Sequence, residues 1–326
     1  MDIQILYHQL LNGDRNALAK AITLVESNKP EDKIESKLLM SFIQQSSQTS
    51  FRIGVTGTPG AGKSTFINAL GMNFIRQGYK VAVLSIDPGS SISKGSILGD
   101  KTRMEDLAKQ KEVFIRPTAA TDYLGGVHSS TQKLISLCEA AGYQRIIIES
   151  VGVGQSEHHI SLLSDMSLLI LAPAGGDDLQ GIKRGVMEWA DLILINKADG
   201  ELKAKAKLAA GYIYSILELL PKKSDWNVKV LSCSSVTQEG LREVYDEVDQ
   251  FYKWISKKPI DELRQAQAAQ RWQELWPSTC AQYLKQDPDI QYYSKKLADQ
   301  LKNGEISEFT ADDCMIRFIF AREIKQ

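Results

Sequence analysis

The chain has 326 residues, enough to bury one α/β core of about 200–250 residues with helical additions beside it. Its 39 basic and 40 acidic residues leave a net charge of −1, which argues against a nucleic-acid-binding surface and against a footprint for an anionic membrane. Cys138, Cys233, Cys280 and Cys314 are widely spaced with no CxxC pair, a pattern that fits reduced, mostly buried thiols better than a disulfide frame.

The opening MDIQILYHQLLNGDRNALAK has no basic n-region, continuous apolar core or small-residue cleavage site. No apolar run approaches the roughly 18–20 residues that span a bilayer, so the expected compartment is the cytoplasm. Residues 1–50 read as a helical segment: Leu6, Leu10, Leu18, Ile22 and Val25 recur at helical spacing, and Asp14 is placed to cap a second helix. The polar 44-QQSSQTS-50 reads as a hinge.

From residue 51 the pattern changes. FRIGVT (51–56), KVAVLSI (80–86), EVFIR (112–116), RIIIES (145–150), MSLLILA (166–172), ADLILIN (190–196) and NVKVLSC (227–233) are predicted strands. Several are almost continuously apolar, as parallel strands covered on both faces must be. Segments 64–77, 128–141, 179–189, 201–219 and 239–256 carry helical periodicity between them. The expectation for 51–256 is therefore an α/β domain with a doubly wound, mostly parallel sheet. Beyond 257 the strands stop, and three helices are predicted as a C-terminal extension over 257–326. Leu263, Trp272, Leu275 and Trp276 gather on part of the first, a stripe that suits packing on its own domain or on a second subunit.

The strongest motif is 57-GTPGAGKST-65, a full G-x-x-x-x-G-K-[ST] match between a predicted strand and a predicted helix, as in P-loop NTPases. Glycines let the backbone curl so that successive N–H groups point at phosphate oxygens, and the helix adds its positive N-terminal end. Gly57, Thr58, Pro59, Gly60, Ala61, Gly62, Lys63, Ser64 and Thr65 are the candidate phosphate cradle, with Lys63 directed at the β and γ phosphates and the Ser64 hydroxyl at Mg²⁺. At the end of a later strand, 196-NKAD-199 carries base choice. The Asp199 carboxylate only accepts hydrogen bonds, which suits the N1–H and N2–H₂ edge of guanine and opposes adenine. Asn196 can touch the base and brace the loop, and Lys197 can lay its stem on the ring. Ser234, Ser235 and Val236 follow the next strand and are placed to touch the base through backbone groups.

Asp87 in 84-LSIDPGSS-91, Asp100 in 95-GSILGDKTRM-104 and Glu149 in 144-QRIIIESVGVGQSE-157 share a strand-end register, so with Ser64 they form the candidate Mg²⁺ set. Gly152 is placed to offer its N–H to a γ phosphate. Gln155 lies too far along to be taken as the residue that orients water. The loop 174-AGGDDLQGIKRG-185 is either a helix start capped by Asp177 or Asp178, or a segment whose Gln180 and Lys183 move toward the phosphates when a partner binds. Lys63, Gln180 and Lys183 are the candidate catalytic residues. His158 and His159 have no Cys or His cluster beside them and read as ordinary loop histidines.

Taken in order, GTPGAGKST, DPGSS, GSILGDKTRM, ESVGVGQSE, GGDDLQGIKRGVMEWADL and NKAD resemble the MeaB/ArgK family of GTPases, over roughly residues 50–256. The resemblance implies GTP and GDP as ligands, Mg²⁺ as cofactor, and a metallochaperone role. The implied partner is an adenosylcobalamin-dependent acyl-CoA mutase, methylmalonyl-CoA mutase foremost, whose cofactor loading is gated and which is protected. It also implies a homodimer formed through the C-terminal helices, and makes 174–185 a third switch. Two departures stand out. DPGS replaces the family's usual DPSS, loosening the backbone at Gly89, and 116-RPTAATDYLGGVHSS-130 differs from the usual serine-rich form, which bears on the partner contact. No built-in catalytic base is evident, so slow intrinsic hydrolysis is expected. A GTP-gated scaffold with incidental hydrolysis is the alternative; a metal-insertase GTPase is disfavoured by the lack of His-rich or paired-Cys segments.

Overall fold

The computed structural model describes residues 2–27, 29–44, 50–87, 104–119, 124–150, 156–173 and 184–321. Three helices, α1 (Ile3–Leu11), α2 (Arg15–Glu26) and α3 (Pro30–Ile43), precede the first strand. Asp14 starts α2 as its sequence position suggests, accepting from the backbone N–H of Asn16 at 2.7 Å and of Ala17 at 3.2 Å. Pro30 opens α3, where a missing N–H leaves no bond unmade. Leu6, Leu10, Leu18 and Ile22 are buried, as the helical spacing requires.

All seven predicted strands form: β1 (Phe51–Gly57), β2 (Val81–Asp87), β3 (Val113–Ala119), β4 (Arg145–Ser150), β5 (Met166–Leu171), β6 (Leu192–Ile195) and β7 (Lys229–Ser232). They lie in the order β3-β2-β4-β1-β5-β6-β7, and every pairing is parallel. After β3 the chain returns to place β4 between β2 and β1, then continues with β5 on the other side of β1. The carboxyl ends of β4, β1 and β5 therefore flank the point where the winding reverses, which is where sheets of this kind keep a ligand crevice.

The two-residue strand period explains the continuous apolar runs. On β4, Ile146 and Ile148 join the layer of α1–α3 and the helix Leu124–Ala140, while Ile147 joins the opposite layer with α4 (Lys63–Arg76) and the helix Leu241–Ile255. A further cluster packs Leu169, Leu171, Ile193 and Ile195 against Ala206, Ala209 and Ile213 of the helix Leu202–Leu217.

The chain divides into two compact units, one ending at Arg271 and one beginning at Trp272, within the helix Ile260–Gln286. That helix contains Pro277, whose ring removes the N–H that would bond the carbonyl four residues back. In the second unit the helices Pro288–Lys302 and Glu308–Phe320 pack together, with Tyr293 stacked on Phe318 at 4.2 Å. The first is capped by Asp287, which accepts from Asp289 N–H at 2.9 Å. Among the described residues no helix is long and apolar enough to cross a membrane. Cys138 and Cys233 are buried free thiols, and burial pushes the Cys233 thiol up to about 12.

At the amino edge of the sheet, within the first unit, a buried ionic network fastens Ile260–Gln286 to the strands. The Arg264 guanidinium donates to Asp165 Oδ1 at 2.9 Å, to Asp165 Oδ2 at 2.8 Å and to the Ser50 carbonyl at 2.6 Å. Asp165 Oδ2 also accepts the Arg52 backbone N–H at 2.8 Å, and the Arg52 side chain grips both Glu139 oxygens at 2.9 and 3.0 Å. Burial lowers the Arg264 pKa, but the hydrogen bonds and charge of Asp165, with Glu139 and Asp261, outweigh it and raise it overall. Such a cluster holds only while every charge keeps its partner. Arg264→Ala should therefore lower the unfolding free energy by about 3–5 kcal/mol; a loss below about 1 kcal/mol in urea denaturation, the size expected of a surface pair, would contradict the buried network.

Candidate nucleotide site

β1 delivers the chain to a tight loop that opens α4. Gly57 has φ 147°, and a Cβ there would lie 1.9 Å from the Ile170 carbonyl oxygen of neighbouring β5. Gly62 has φ 86°, and a Cβ there would meet Asn196 Nδ2 at 2.6 Å. Only a residue without a side chain fits either place. Gly60, at φ 76°, instead faces open space, and it and Pro59 form the exposed tip. The buried Lys63 ammonium donates to the Gly57 carbonyl at 3.0 Å and to the Thr58 carbonyl at 3.3 Å, so the cation sits against the inside of the loop. Ala61 is buried and Thr65 is exposed.

Beside the loop, Ser64 Oγ donates to Glu149 Oε1 at 3.2 Å, and Ser85 Oγ donates to Glu149 Oε2 at 3.2 Å. Glu149 is 4 % exposed at the end of β4. Ser150 Oγ and Thr56 Oγ1, 3.0 Å apart, tie β4 to β1 next to it. Asp87 closes β2 at the same edge. Asp100, Gly152, Gln155, Gln180 and Lys183, with Gly89, Asp177 and Asp178, lie outside the described residues. A carboxylate and a hydroxyl are hard oxygen donors of the kind Mg²⁺ takes when phosphate and water complete its shell. Among the described residues no group of three His, Cys, Asp or Glu side chains could hold a metal by itself. The Ser64 hydroxyl and the Glu149 carboxylate, side by side at the phosphate loop, are donors that fit Mg²⁺.

The NKAD loop follows β6. Asn196, 1 % exposed, donates from Nδ2 to the Ala61 carbonyl at 2.8 Å, while its Oδ1 accepts from Ser235 N–H at 3.0 Å and Ser235 Oγ at 2.9 Å. One amide joins the phosphate loop to the loop after β7. Lys197 takes φ 59°, which turns the chain so that the Ala198 N–H bonds the Cys233 carbonyl at 3.0 Å. Asp199 accepts a hydrogen bond from Ser234 Oγ, and that oxygen in turn accepts the Thr237 N–H at 3.1 Å. The serines of 234–236 thus orient Asn196 and Asp199 through their side chains, a bracing role that their position alone did not suggest, while Val236 is 79 % exposed.

The His158 ring stands 4.3 Å from the Trp189 ring, with Gln270 Nε2 3.4 Å from its Nε2. Ser85 was missed by motif reading, although it breaks an apolar alternation and so left a signal. The Ser150–Thr56 pair left none, since small hydroxyl residues at strand ends are common.

A G-x-x-x-x-G-K-S loop and an NKAD loop, clasped together at the carboxyl edge of a parallel sheet, define the class: a GTPase of the P-loop kind. The model of the family described as methylmalonyl Co-A mutase-associated GTPase MeaB matches residues 18–289, and the chain belongs to that family. It is 41 % identical over 313 residues to GTPase ArgK of Escherichia coli (strain K12), covering 95 % of each chain. It is 38 % identical over 334 residues to methylmalonic aciduria type A homolog, mitochondrial, of Caenorhabditis elegans, covering 98 % of this chain and 83 % of that one. Among solved structures it is similar to an LAO/AO transport system kinase, with a TM-score of 0.75 and 34 % identity over 97 % of each chain.

The loop's packing has a measurable consequence. Gly60→Ala should lower stability by about 1–2 kcal/mol through its left-handed backbone alone. Gly57→Ala should lose about 1–3 kcal/mol more from collision with β5. Equal shifts in thermal denaturation would contradict the close approach to Ile170.

Proposed function

We propose that the chain binds GTP with Mg²⁺ at this edge, hydrolyses it to GDP, and gates loading of adenosylcobalamin into an acyl-CoA mutase, methylmalonyl-CoA mutase foremost, protecting that enzyme. The Asn196 clasp carries the nucleotide reading, because it holds a phosphate loop and a base-choosing carboxylate at one edge. The mutase reading is supported by family membership.

The loop from Gly57 to Thr65, donating from its backbone N–H groups everywhere but at Pro59, which has none, surrounds the phosphates with the N-terminus of α4, and Lys63 leaves the loop carbonyls for the β and γ oxygens. Ser64 and Glu149, with Asp87 and Asp100, hold Mg²⁺, which when bound neutralises charge on the β and γ phosphates. Asp199 accepts from guanine N1–H and N2–H₂, Asn196 and Lys197 frame the base, and backbone groups of Ser234, Ser235 and Val236 border it. Water attacks the γ phosphorus and the bond to the bridging oxygen breaks, yielding GDP and inorganic phosphate. Gly152 senses whether the γ phosphate remains. Gln180 and Lys183 reach the phosphates when the partner docks, Lys183 neutralising transition-state charge. Residues 1–50 are a helical segment, 51–256 the GTPase domain, and 257–326 the helical extension through which a homodimer forms in the cytoplasm.

Purified protein should release phosphate from GTP slowly by itself and faster with a cobalamin-dependent acyl-CoA mutase present. A cationic side chain brought to the phosphates in this way contributes up to about 10³–10⁵-fold elsewhere, so even a fraction of that is measurable. No turnover in either condition would overturn the enzymatic reading.

A further inference from the structure

The stripe of β2 that faces α4 reads Val81, Val83 and Ser85 by the strand period. Val81 and Val83 are fully buried in the layer of Phe66, Ile67 and Leu70, so the same stripe calls for an apolar residue at 85. A serine stands there instead, 1 % exposed. A buried hydroxyl is unfavourable unless it is bonded. Ser85 is paired in register with Glu149 of β4, and its Oγ meets Glu149 Oε2 at 3.2 Å.

Glu149 is therefore held at both ends of its carboxylate: Oε1 toward Ser64 on α4, and Oε2 toward Ser85 on β2. The last torsion of a glutamate side chain is broad and sets the plane of the carboxylate. A bond to Oε2 from a rigid central strand narrows that torsion and leaves the Oε1 edge aimed at the Ser64 hydroxyl. Mg²⁺ tolerates little departure from its octahedral geometry, so the aim of one carboxylate edge affects affinity strongly.

We infer that Ser85 is a positioning residue for the nucleotide-bound Mg²⁺, acting through Glu149 and without touching metal or nucleotide itself. The inference rests on the Mg²⁺ site proposed above. Its test is the dissociation rate of fluorescent N-methylanthraniloyl-GDP, measured against free Mg²⁺ and in EDTA. In the unaltered protein, Mg²⁺ should slow release. Ser85→Ala should raise the Mg²⁺ concentration for half-maximal slowing by about tenfold, the lower range for loss of a residue that orients a metal ligand. Release in EDTA should stay as in the unaltered protein. Ser85→Cys, similar in size but a weak donor, should shift in the same direction, and Ser85→Thr, which keeps the hydroxyl, should restore the original value.

An unchanged Mg²⁺ half-point in both Ser85→Ala and Ser85→Cys, beside a clear Mg²⁺ effect in the unaltered protein, would overturn the role of Ser85 alone. Equal acceleration of release with Mg²⁺ and in EDTA would overturn it too, since that marks a merely structural part. Release from the unaltered protein that ignores Mg²⁺ would remove the metal site and this inference with it.

Discussion

The Asn196 amide sets the geometry of the site. It stands at the end of β6, yet reaches past β5 to the Ala61 carbonyl in the loop after β1, while its oxygen gathers the Ser235 N–H and hydroxyl from the loop after β7. A fully buried amide satisfied at both ends is worth more than its bonds taken singly, because each partner would be stranded without it. Two loops far apart in sequence are thereby fixed at one spacing. Gly62 is the companion requirement, since any side chain there would occupy the place of Asn196 Nδ2.

Polar residues are distributed unevenly between the two edges of the sheet. At the carboxyl edge, hydroxyls orient acids: Ser64 and Ser85 on Glu149, Ser234 on Asp199. At the amino edge, Arg52, Glu139, Asp165 and Arg264 neutralise one another and anchor the start of the helix Ile260–Gln286. The same helix sends Gln267 to the Ser161 and Ser164 carbonyls at 3.1 and 2.9 Å, and Arg271 to the Leu162 carbonyl. Those carbonyls end the helix Ser156–Ser161, the next described element after Glu149. Orphan carbonyls at a helix end need such donors, and here they come from a segment some hundred residues later.

Much of this was legible in the sequence because local physics left local marks. Apolar runs of strand length marked all seven strands, and an aspartate before an apolar helix marked the α2 cap. The glycines of the phosphate loop announced backbone that side chains forbid. Strand order was not legible, because the insertion of β4 between β2 and β1 depends on long-range packing that periodicity does not encode. The Arg264 network was equally hidden. No motif or spacing links Arg52, Glu139, Asp165 and Arg264 in the sequence, and only the fold shows that they share one buried place. Ser85 lay between these cases, for the interrupted Val81–Val83 stripe was visible but its partner was not.

In the proposed function Asp199, oriented by Ser234 and placed by the Asn196 clasp, chooses guanine over other bases. Calorimetric titration of the protein and of its Asp199→Asn variant with GTP, ATP and XTP tests it most directly. An asparagine accepts from xanthine N1–H and donates to its 2-oxo group, so the variant should lose about a hundredfold or more in GTP affinity and gain XTP, while the unaltered protein binds GTP and rejects ATP. Comparable binding of ATP and GTP by the unaltered protein, or an Asp199→Asn variant with its preference intact, would contradict the account.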